Sequence, residues 1–200
     1  MRYNNYHKHT HYSNIKTLDC ISKPEDYIKR AVELGHTTYF TTEHGFQGNI
    51  YEAHTLCEQY NLRCIYGVEA YYVNDMHDKS SRSNYHLMLV AMNDNGRKEI
   101  NKIMSLANTD GFYYKPRINH DLIKEHSEGL ICLSACLGGE VNAFVTQDKI
   151  EEAKRLALKI LPKDISNPDR PYGPEAEKAL RITSDWAKKA INTTSLVVFV

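Results

Sequence analysis

The sequence lacks net charge, paired cysteines and long apolar runs. Its 25 basic residues are balanced by 25 acidic residues, so its composition does not indicate a polybasic nucleic-acid-binding protein, although a local basic patch is compatible with zero net charge. Five cysteines without a C-x-x-C pair do not predict a disulfide scaffold. No stretch is apolar and long enough for a signal peptide or a membrane span. We therefore predict a cytoplasmic globular protein with no membrane partner.

Apolar segments of strand length alternate with amphipathic helical segments along most of the chain. Strands are predicted in "TTYFTTEHG", "CIYGVEAYYV", "NYHLMLVAM" and "GLICLSACLGG". Helices are predicted in "CISKPEDYIKRAVELG", in residues 48–60, in "DNGRKEINKIMSLAN" and in "DKIEEAKRLALKIL". This order predicts the α/β class, with a largely parallel sheet or barrel. In such folds the functional residues lie at the C-terminal ends of the strands.

The pattern changes near residue 160. Four of the six prolines fall in "PKDISNPDRPYGP", which predicts a loop. An amphipathic helix is predicted in "EAEKALRITSDWAKKAI" and a short strand in "SLVVFV". We predict one domain over residues 1–160 and a divergent C-terminal segment, residues 161–200, packed on the same domain.

Three histidines stand on alternate positions in "HKHTHYS". In an extended segment His7, His9 and His11 would share one face, because side chains alternate along a strand. Imidazole is a frequent ligand of zinc-like metals, and two imidazoles from one strand can hold one ion. A solvated histidine-rich segment is the alternative interpretation.

Polar residues also stand at the ends of the predicted strands. They are Glu43, His44, Glu69, His86 and Cys136. Each alone has a simple structural explanation, such as an ion pair, a hydrogen-bonded core histidine or a buried thiol. Together with the histidines they predict a multinuclear zinc or manganese site. Such a site activates water and neutralises a phosphoryl group, which indicates phosphoester hydrolysis.

An ordered set of motifs resembles a known family. "HTHYS", "TTEHG", "GVEAYY", "YHLMLVAMN", "GFYYKPRI" and "EHSEGLICLSACLGGEV" are similar to the PHP (polymerase and histidinol phosphatase) domain of bacterial and phage DNA polymerase III alpha subunits. The resemblance implies a PHP-type distorted (β/α)7 barrel, incomplete at the C-terminus here. It also implies up to three Zn²⁺ or Mn²⁺ ions at the C-terminal ends of the strands.

The resemblance implies particular ligands for each metal. They are His9 and His11 for the first metal, His86 and Cys136 for the second, Asp19 and His44 for the third, and Glu69 as a bridge. It implies catalytic roles for Asp19, Glu69 and His86. His7 lies outside the family pattern and is expected to flank the site.

The chain departs from the family pattern in three ways, one of which is that the family's strand after the helix in "AKRLALKI" does not follow here. The family usually has Asp where Glu43 stands, and its late D-x-H motif is absent after Cys136. Asp75 and His77 have the residue types of this motif, but they lie between Glu69 and His86 and not after Cys136. We therefore interpret them as a chance match. A carboxylate of the C-terminal segment could substitute, and the candidates are Asp164, Asp169 and Asp185.

Three functions therefore stay open. The first is a metal-dependent phosphoesterase that acts as a 3′-to-5′ exonuclease on single-stranded DNA ends. The second is a non-catalytic PHP module that binds other polymerase domains or replication proteins. The third is a small-molecule phosphatase of the histidinol-phosphate type, against which "GFYYKPRI" argues. In that motif Tyr113 and Tyr114 could stack on bases, and Lys115 and Arg117 could contact phosphates, but a loop that packs against the rest of a polymerase is the preferred interpretation.

Overall fold

The computed structural model describes residues 5–15 and 17–160 of the chain. They belong to two compact units, of which the first lies within residues 1–84 and 88–130 and the second comprises residues 85–87 and those after 130. The predicted mixed α/β class is confirmed, since helices and strands alternate along the chain. The predicted C-terminal segment, residues 161–200, lies outside the described residues.

The described residues form short strands and mostly short helices. The strands are β1 (Thr38–Phe40), β2 (Arg63–Ile65), β3 (Gly67–Tyr72), β4 (Tyr85–Ala91), β5 (Arg117–Ile118) and β6 (Leu130–Leu133). The helices are α1 (Pro24–Glu33), α2 (Ile50–Gln59), α3 (Asp94–Thr109), α4 (His120–Glu125), α5 (Glu140–Thr146) and α6 (Ile150–Ile160), and a 3₁₀ turn spans His11–Ser13. The elements missed by the sequence analysis (β5, α4, α5 and the 3₁₀ turn) are too short to show a hydrophobic period.

The segment predicted as one strand, "CIYGVEAYYV", forms two. Its first half, β2, pairs in parallel with β1, with Thr38 opposite Arg63. Its second half, β3, pairs in parallel with β5, with Tyr71 opposite Arg117. The strand breaks at Tyr66 because the two halves have different partners. In the first unit β3 lies between β5 and β4. Closure into a seven-stranded barrel stays a prediction.

The extended chain after β1 pairs first with the end of β2 and then with β3. The Thr41 amide donates to the Ile65 carbonyl at 2.9 Å, and the Glu69 amide donates to the Glu43 carbonyl at 3.0 Å. The Gly45 amide then donates to the Glu69 carbonyl at 2.8 Å. This parallel pairing places Glu43 and His44, which follow β1, beside Glu69 in the first half of β3.

Helices α1 and α2 cover β1 through an apolar cluster. Its buried members are Ile28, Tyr39, Ala53 and Cys57. Burial of a large apolar side chain contributes about 1.5–3 kcal/mol to stability. This cluster therefore stabilises β1 and β2, the strands that precede the polar residues of the site. In the second unit, α5 and α6 pack through Val141 and Ala153. No helix among the described residues is long and apolar enough to cross a membrane.

Candidate metal centre

A buried carboxylate near the middle of β3 is surrounded by imidazoles. Glu69 has no exposed surface, and its Oε2 lies 3.0 Å from His9 Nε2 and 3.0 Å from His44 Nδ1. His7 Nε2 lies 3.3 Å from the same oxygen. The ligand atoms of His7, His9 and Glu69 lie within 4.8 Å of one another. Imidazole nitrogens around a carboxylate oxygen are the donor set that zinc and manganese accept in proteins.

The N-terminal segment is extended where it presents His7 and His9. Between them, the Lys8 amide donates to Thr42 Oγ1 at 3.0 Å, and that hydroxyl donates to the Lys8 carbonyl at 2.7 Å. The Lys8 side chain lies on the opposite face, with Nζ 4.0 Å from the centre of the Tyr39 ring. Alternation along the segment therefore places both histidines on the face of Glu69. Their Nε2 atoms are 3.1 Å apart.

His11 does not continue this face. The expectation that all three histidines line one side of an extended segment is wrong, because the 3₁₀ turn begins at His11 and ends the alternation. His11 Nδ1 is buried and has no hydrogen-bond partner among residues 5–15 and 17–160. The implied role of His11 as a ligand stays a prediction. His7, expected to flank the site, lies within it.

Glu43 is the second buried carboxylate of this region, and it holds the turn. It accepts hydrogen bonds from the Thr10 amide at 3.0 Å, from the Thr10 and Ser13 hydroxyls, and from Asn49 Nδ2 at 2.8 Å. Ser13 Oγ also lies 3.0 Å from His9 Nδ1 and accepts a hydrogen bond from the His44 amide at 3.1 Å. The Ser13 hydroxyl, held by Glu43, thus contacts both the ring of His9 and the backbone that carries His44.

His44 connects Glu69 with a more exposed carboxylate. Its Nε2 lies 3.9 Å from Asp19 Oδ2, and its ring stacks on that of His9 at 3.9 Å between centroids. The loop that carries Asp19 is held by Asn14, whose side-chain oxygen accepts from the Asp19 amide at 2.7 Å. The structure therefore brings Asp19 next to His44, the pair implied for the third metal.

Two further predicted ligands meet within the second unit. Cys136 Sγ lies 3.4 Å from His86 Nδ1 and accepts a hydrogen bond from the Gly138 amide at 3.4 Å. The His86 amide donates to the Gly138 carbonyl at 2.9 Å. A β-carbon at Gly138 would lie 3.3 Å from His86 Nδ1, so glycine allows this close approach. The pair implied for the second metal is thus in contact.

Tyr71 and Lys115 lie on one side of His44. The Tyr71 ring centroid is 6.2 Å from that of His44, and Lys115 Nζ lies 4.1 Å from the centre of the Tyr71 ring. Burial, and then the charges of Glu69 and Asp19, raise the pKa of Tyr71 to about 12. The phenol therefore stays neutral at neutral pH.

Arg117, by contrast, serves packing. Its buried guanidinium donates to the carbonyls of Gly111 at 3.2 Å, Asp78 at 2.7 Å and Met76 at 2.7 Å. These bonds engage the guanidinium within the protein, so Arg117 is not placed to contact a phosphate.

Comparison with known proteins identifies the family. The model of the PHP domain matches residues 5–166. The chain belongs to the PHP family. This PHP chain is 39% identical over 163 residues to the DNA polymerase III subunit alpha of Helicobacter pylori (strain ATCC 700392 / 26695), with 76% of the chain and 13% of that protein covered. It is 33% identical over 199 residues to the corresponding subunit of Aquifex aeolicus (strain VF5), with 92% of the chain and 17% of that protein covered.

The PHP chain thus spans less than a fifth of the length of these curated relatives. The predicted resemblance is confirmed. A solved structure from Bifidobacterium adolescentis, described as a metal-dependent phosphoesterase, covers 90% of this chain and 73% of its own, with 15% identity and a TM-score of 0.35.

Some candidate ligands of the PHP chain lie outside the described centre. Asp75 Oδ1 accepts a hydrogen bond from the His77 amide at 2.9 Å, so this D-x-H triplet forms a local turn. Asp164, Asp169 and Asp185 lie outside the described residues.

Sequence reasoning missed Ser13 and Thr42 as supports of the centre. The signal for Ser13 was its position four residues after His9, within reach across a turn. Thr42 gave no signal, because its hydroxyl binds the backbone of a segment distant in the sequence.

Proposed function

We propose that this PHP domain hydrolyses phosphoester bonds in a metal-dependent reaction, with the 3′ end of single-stranded DNA as its substrate. The observation that carries the proposal is the convergence of three imidazole nitrogens within 3.3 Å of one oxygen of the buried Glu69. A buried carboxylate requires charge compensation, and imidazole nitrogens that converge on a carboxylate oxygen are typical ligands of zinc-like metals. The donor set therefore fits a divalent cation.

The ligand roles follow from these distances. We assign His7 and His9 as the first pair, in place of the implied His9 and His11, because only the former two approach Glu69. Glu69 is the shared carboxylate, and His44 lies between it and Asp19. His86 and Cys136 form a second ligand pair within the second unit. Zn²⁺ or Mn²⁺, when bound, supplies Lewis acidity towards a phosphoryl group.

The protein residues around the centre suit a phosphoester. The Lys115 ammonium lies over the Tyr71 ring, which neighbours His44, and its positive charge would attract a phosphate. Neutral Tyr71 adds no negative charge that would repel the phosphate. Asp19 is partly exposed, and we assign it, with His44, to a metal ion that would stabilise the negative charge developing on the leaving 3′ oxygen.

The test is hydrolysis of end-labelled single-stranded DNA by the 200-residue chain with Mn²⁺ or Zn²⁺. We expect stepwise release of nucleotides from the 3′ end, with loss of activity in His9→Ala and on chelation. An equal rate for wild type and His9→Ala would overturn the proposal. Activity on histidinol phosphate but not on DNA would instead support the small-molecule phosphatase.

A non-catalytic module is the second candidate. The relatives are DNA polymerase III alpha subunits several times longer than this chain, and the late D-x-H motif is absent from the sequence. Elemental analysis of the purified chain shows whether it binds metal ions. Bound ions with no hydrolysis of any phosphoester would favour a PHP module that binds other replication proteins.

A further inference from the structure

Two cysteines lie together between α2 and β2. Cys57 is in α2, with 1% of its surface exposed, and belongs to the apolar cluster that covers β1. Cys64 is the central residue of β2, is partly exposed, and packs against that cluster. The Leu62 amide donates to the Cys57 carbonyl at 2.8 Å, which closes a tight connection between the helix and the strand. The two thiols are therefore held on neighbouring elements.

The buried side chain of Lys8 lies close to this pair. Lys8 Nζ is 4.0 Å from the centre of the Tyr39 ring, and Tyr39 is the register partner of Cys64 across β1 and β2. A hydrogen bond with Cys64 lowers the pKa of Cys57, burial opposes this, and attraction to Lys8 lowers it further. The thiolate is the reactive form of cysteine.

We propose that Cys57 and Cys64 form a reversible disulfide on exposure to a peroxide, which makes this pair a redox modification site separate from the metal centre. The Cys57 thiolate attacks the peroxide oxygen, the O–O bond breaks, and hydroxide leaves and takes the proton to form water. The Cys64 sulfur then attacks the sulfenic acid, the S–S bond forms, and a second water leaves with the Cys64 proton. Two thiols are oxidised and one peroxide is reduced.

The other cysteines lack this arrangement. Cys132 is buried, and burial raises the pKa of its thiol to about 12, so little thiolate forms. Cys20 Sγ lies 3.7 Å from the Tyr27 hydroxyl, which is a neutral neighbour. Cys136 contacts His86 and is a predicted metal ligand. The disulfide is therefore expected at one pair only.

Peptide mapping tests the proposal directly. Trypsin cleaves after Arg63, which lies between the two cysteines, so Cys57 and Cys64 fall on different peptides. Cys20 falls on a third peptide, and Cys132 and Cys136 share a fourth. After treatment of the folded chain with hydrogen peroxide and blocking of free thiols, we expect one linked peptide pair lighter by two hydrogen atoms. Dithiothreitol should separate the pair.

Variants distinguish this chemistry from unspecific oxidation. Cys64→Ala should abolish the linked peptide and leave Cys57 open to oxidation to the sulfinic acid, whereas Cys20→Ala should leave the link unchanged. Wild-type protein first unfolded in urea is the second control, and it should lose the selectivity for this pair. The absence of the Cys57–Cys64 link while Cys20 is oxidised, or links spread evenly over the cysteines, would overturn the proposal.

Discussion

Glu43 and Glu69 are both buried carboxylates on adjacent parallel segments, yet their surroundings differ in kind. Glu43 accepts hydrogen bonds from neutral donors: an amide and a hydroxyl of Thr10, the Ser13 hydroxyl and the Asn49 side chain. Glu69 instead has three imidazole nitrogens within 3.3 Å of a single oxygen. Hydrogen bonds from fixed neutral donors satisfy a buried carboxylate structurally. Imidazoles that converge on one oxygen create a position for a cation.

The neighbours of a buried carboxylate, more than its burial, indicate its role. Both side chains are almost completely buried, with 1% and 0% exposure, so burial does not separate them. Ser13 is the link between the two sites, since its hydroxyl contacts Glu43 and His9. We therefore expect substitutions at Glu69 and its histidines to change metal binding, and substitutions at Glu43 to change the stability of the fold.

Glu69→Gln should have the largest effect on hydrolysis. The amide keeps the shape of the side chain but removes its charge, so metal binding weakens and hydrolysis falls by at least about 100-fold. Rates on labelled single-stranded DNA, together with metal content per chain, measure the effect. Full metal content in Glu69→Gln would contradict the assignment of Glu69 as the shared ligand.

Sequence reasoning identified the α/β class and several residues of the centre because both leave local patterns. The alternation of strands and helices predicted the α/β class, and polar residues in the predicted strands identified Glu69 and His44, although Glu69 lies near the middle of β3 and not at its end. Sequence reasoning expected His7 only to flank the site and His11 to continue the extended face, because a local pattern does not show where the extended segment ends. That point is fixed by hydrogen bonds from Thr10 and Ser13 to Glu43, about thirty residues away in the sequence. Pairing between distant segments leaves no periodic signal.

The second prediction compares two histidines. His7→Ala should lower metal affinity by about 10- to 100-fold, the range typical for groups that support a metal site, whereas His11→Ala should change it by less than about threefold. Titration of metal-free protein with Zn²⁺, read out by competition with a chromogenic chelator, measures both. A larger loss in His11→Ala than in His7→Ala would restore the ligand pair implied by the family motif.

At the other buried carboxylate, Glu43→Gln should lower the stability of the protein. The amide nitrogen would face donors such as the Thr10 amide or Asn49 Nδ2, and a buried donor left without an acceptor costs about 1–3 kcal/mol. We expect a decrease of about 2 kcal/mol in the free energy of unfolding, read from urea denaturation of the metal-free chain. Glu69→Gln is the matched control, and it should destabilise the metal-free chain less.

Ser13→Ala should have the smallest effect, and it tests whether the two carboxylate sites are coupled. The substitution removes the hydroxyl that contacts His9 Nδ1 and Glu43 and that accepts the hydrogen bond of the His44 amide. Both imidazoles would keep their positions on the chain but lose a group that orients them, so metal affinity should fall by about 10-fold. Ser13→Thr retains a hydroxyl and should recover part of the affinity. If Ser13→Ala lowers stability as much as Glu43→Gln does but leaves metal affinity unchanged, Ser13 belongs to the structural carboxylate alone, and the geometry of the imidazoles is set by the backbone pairing of the strands.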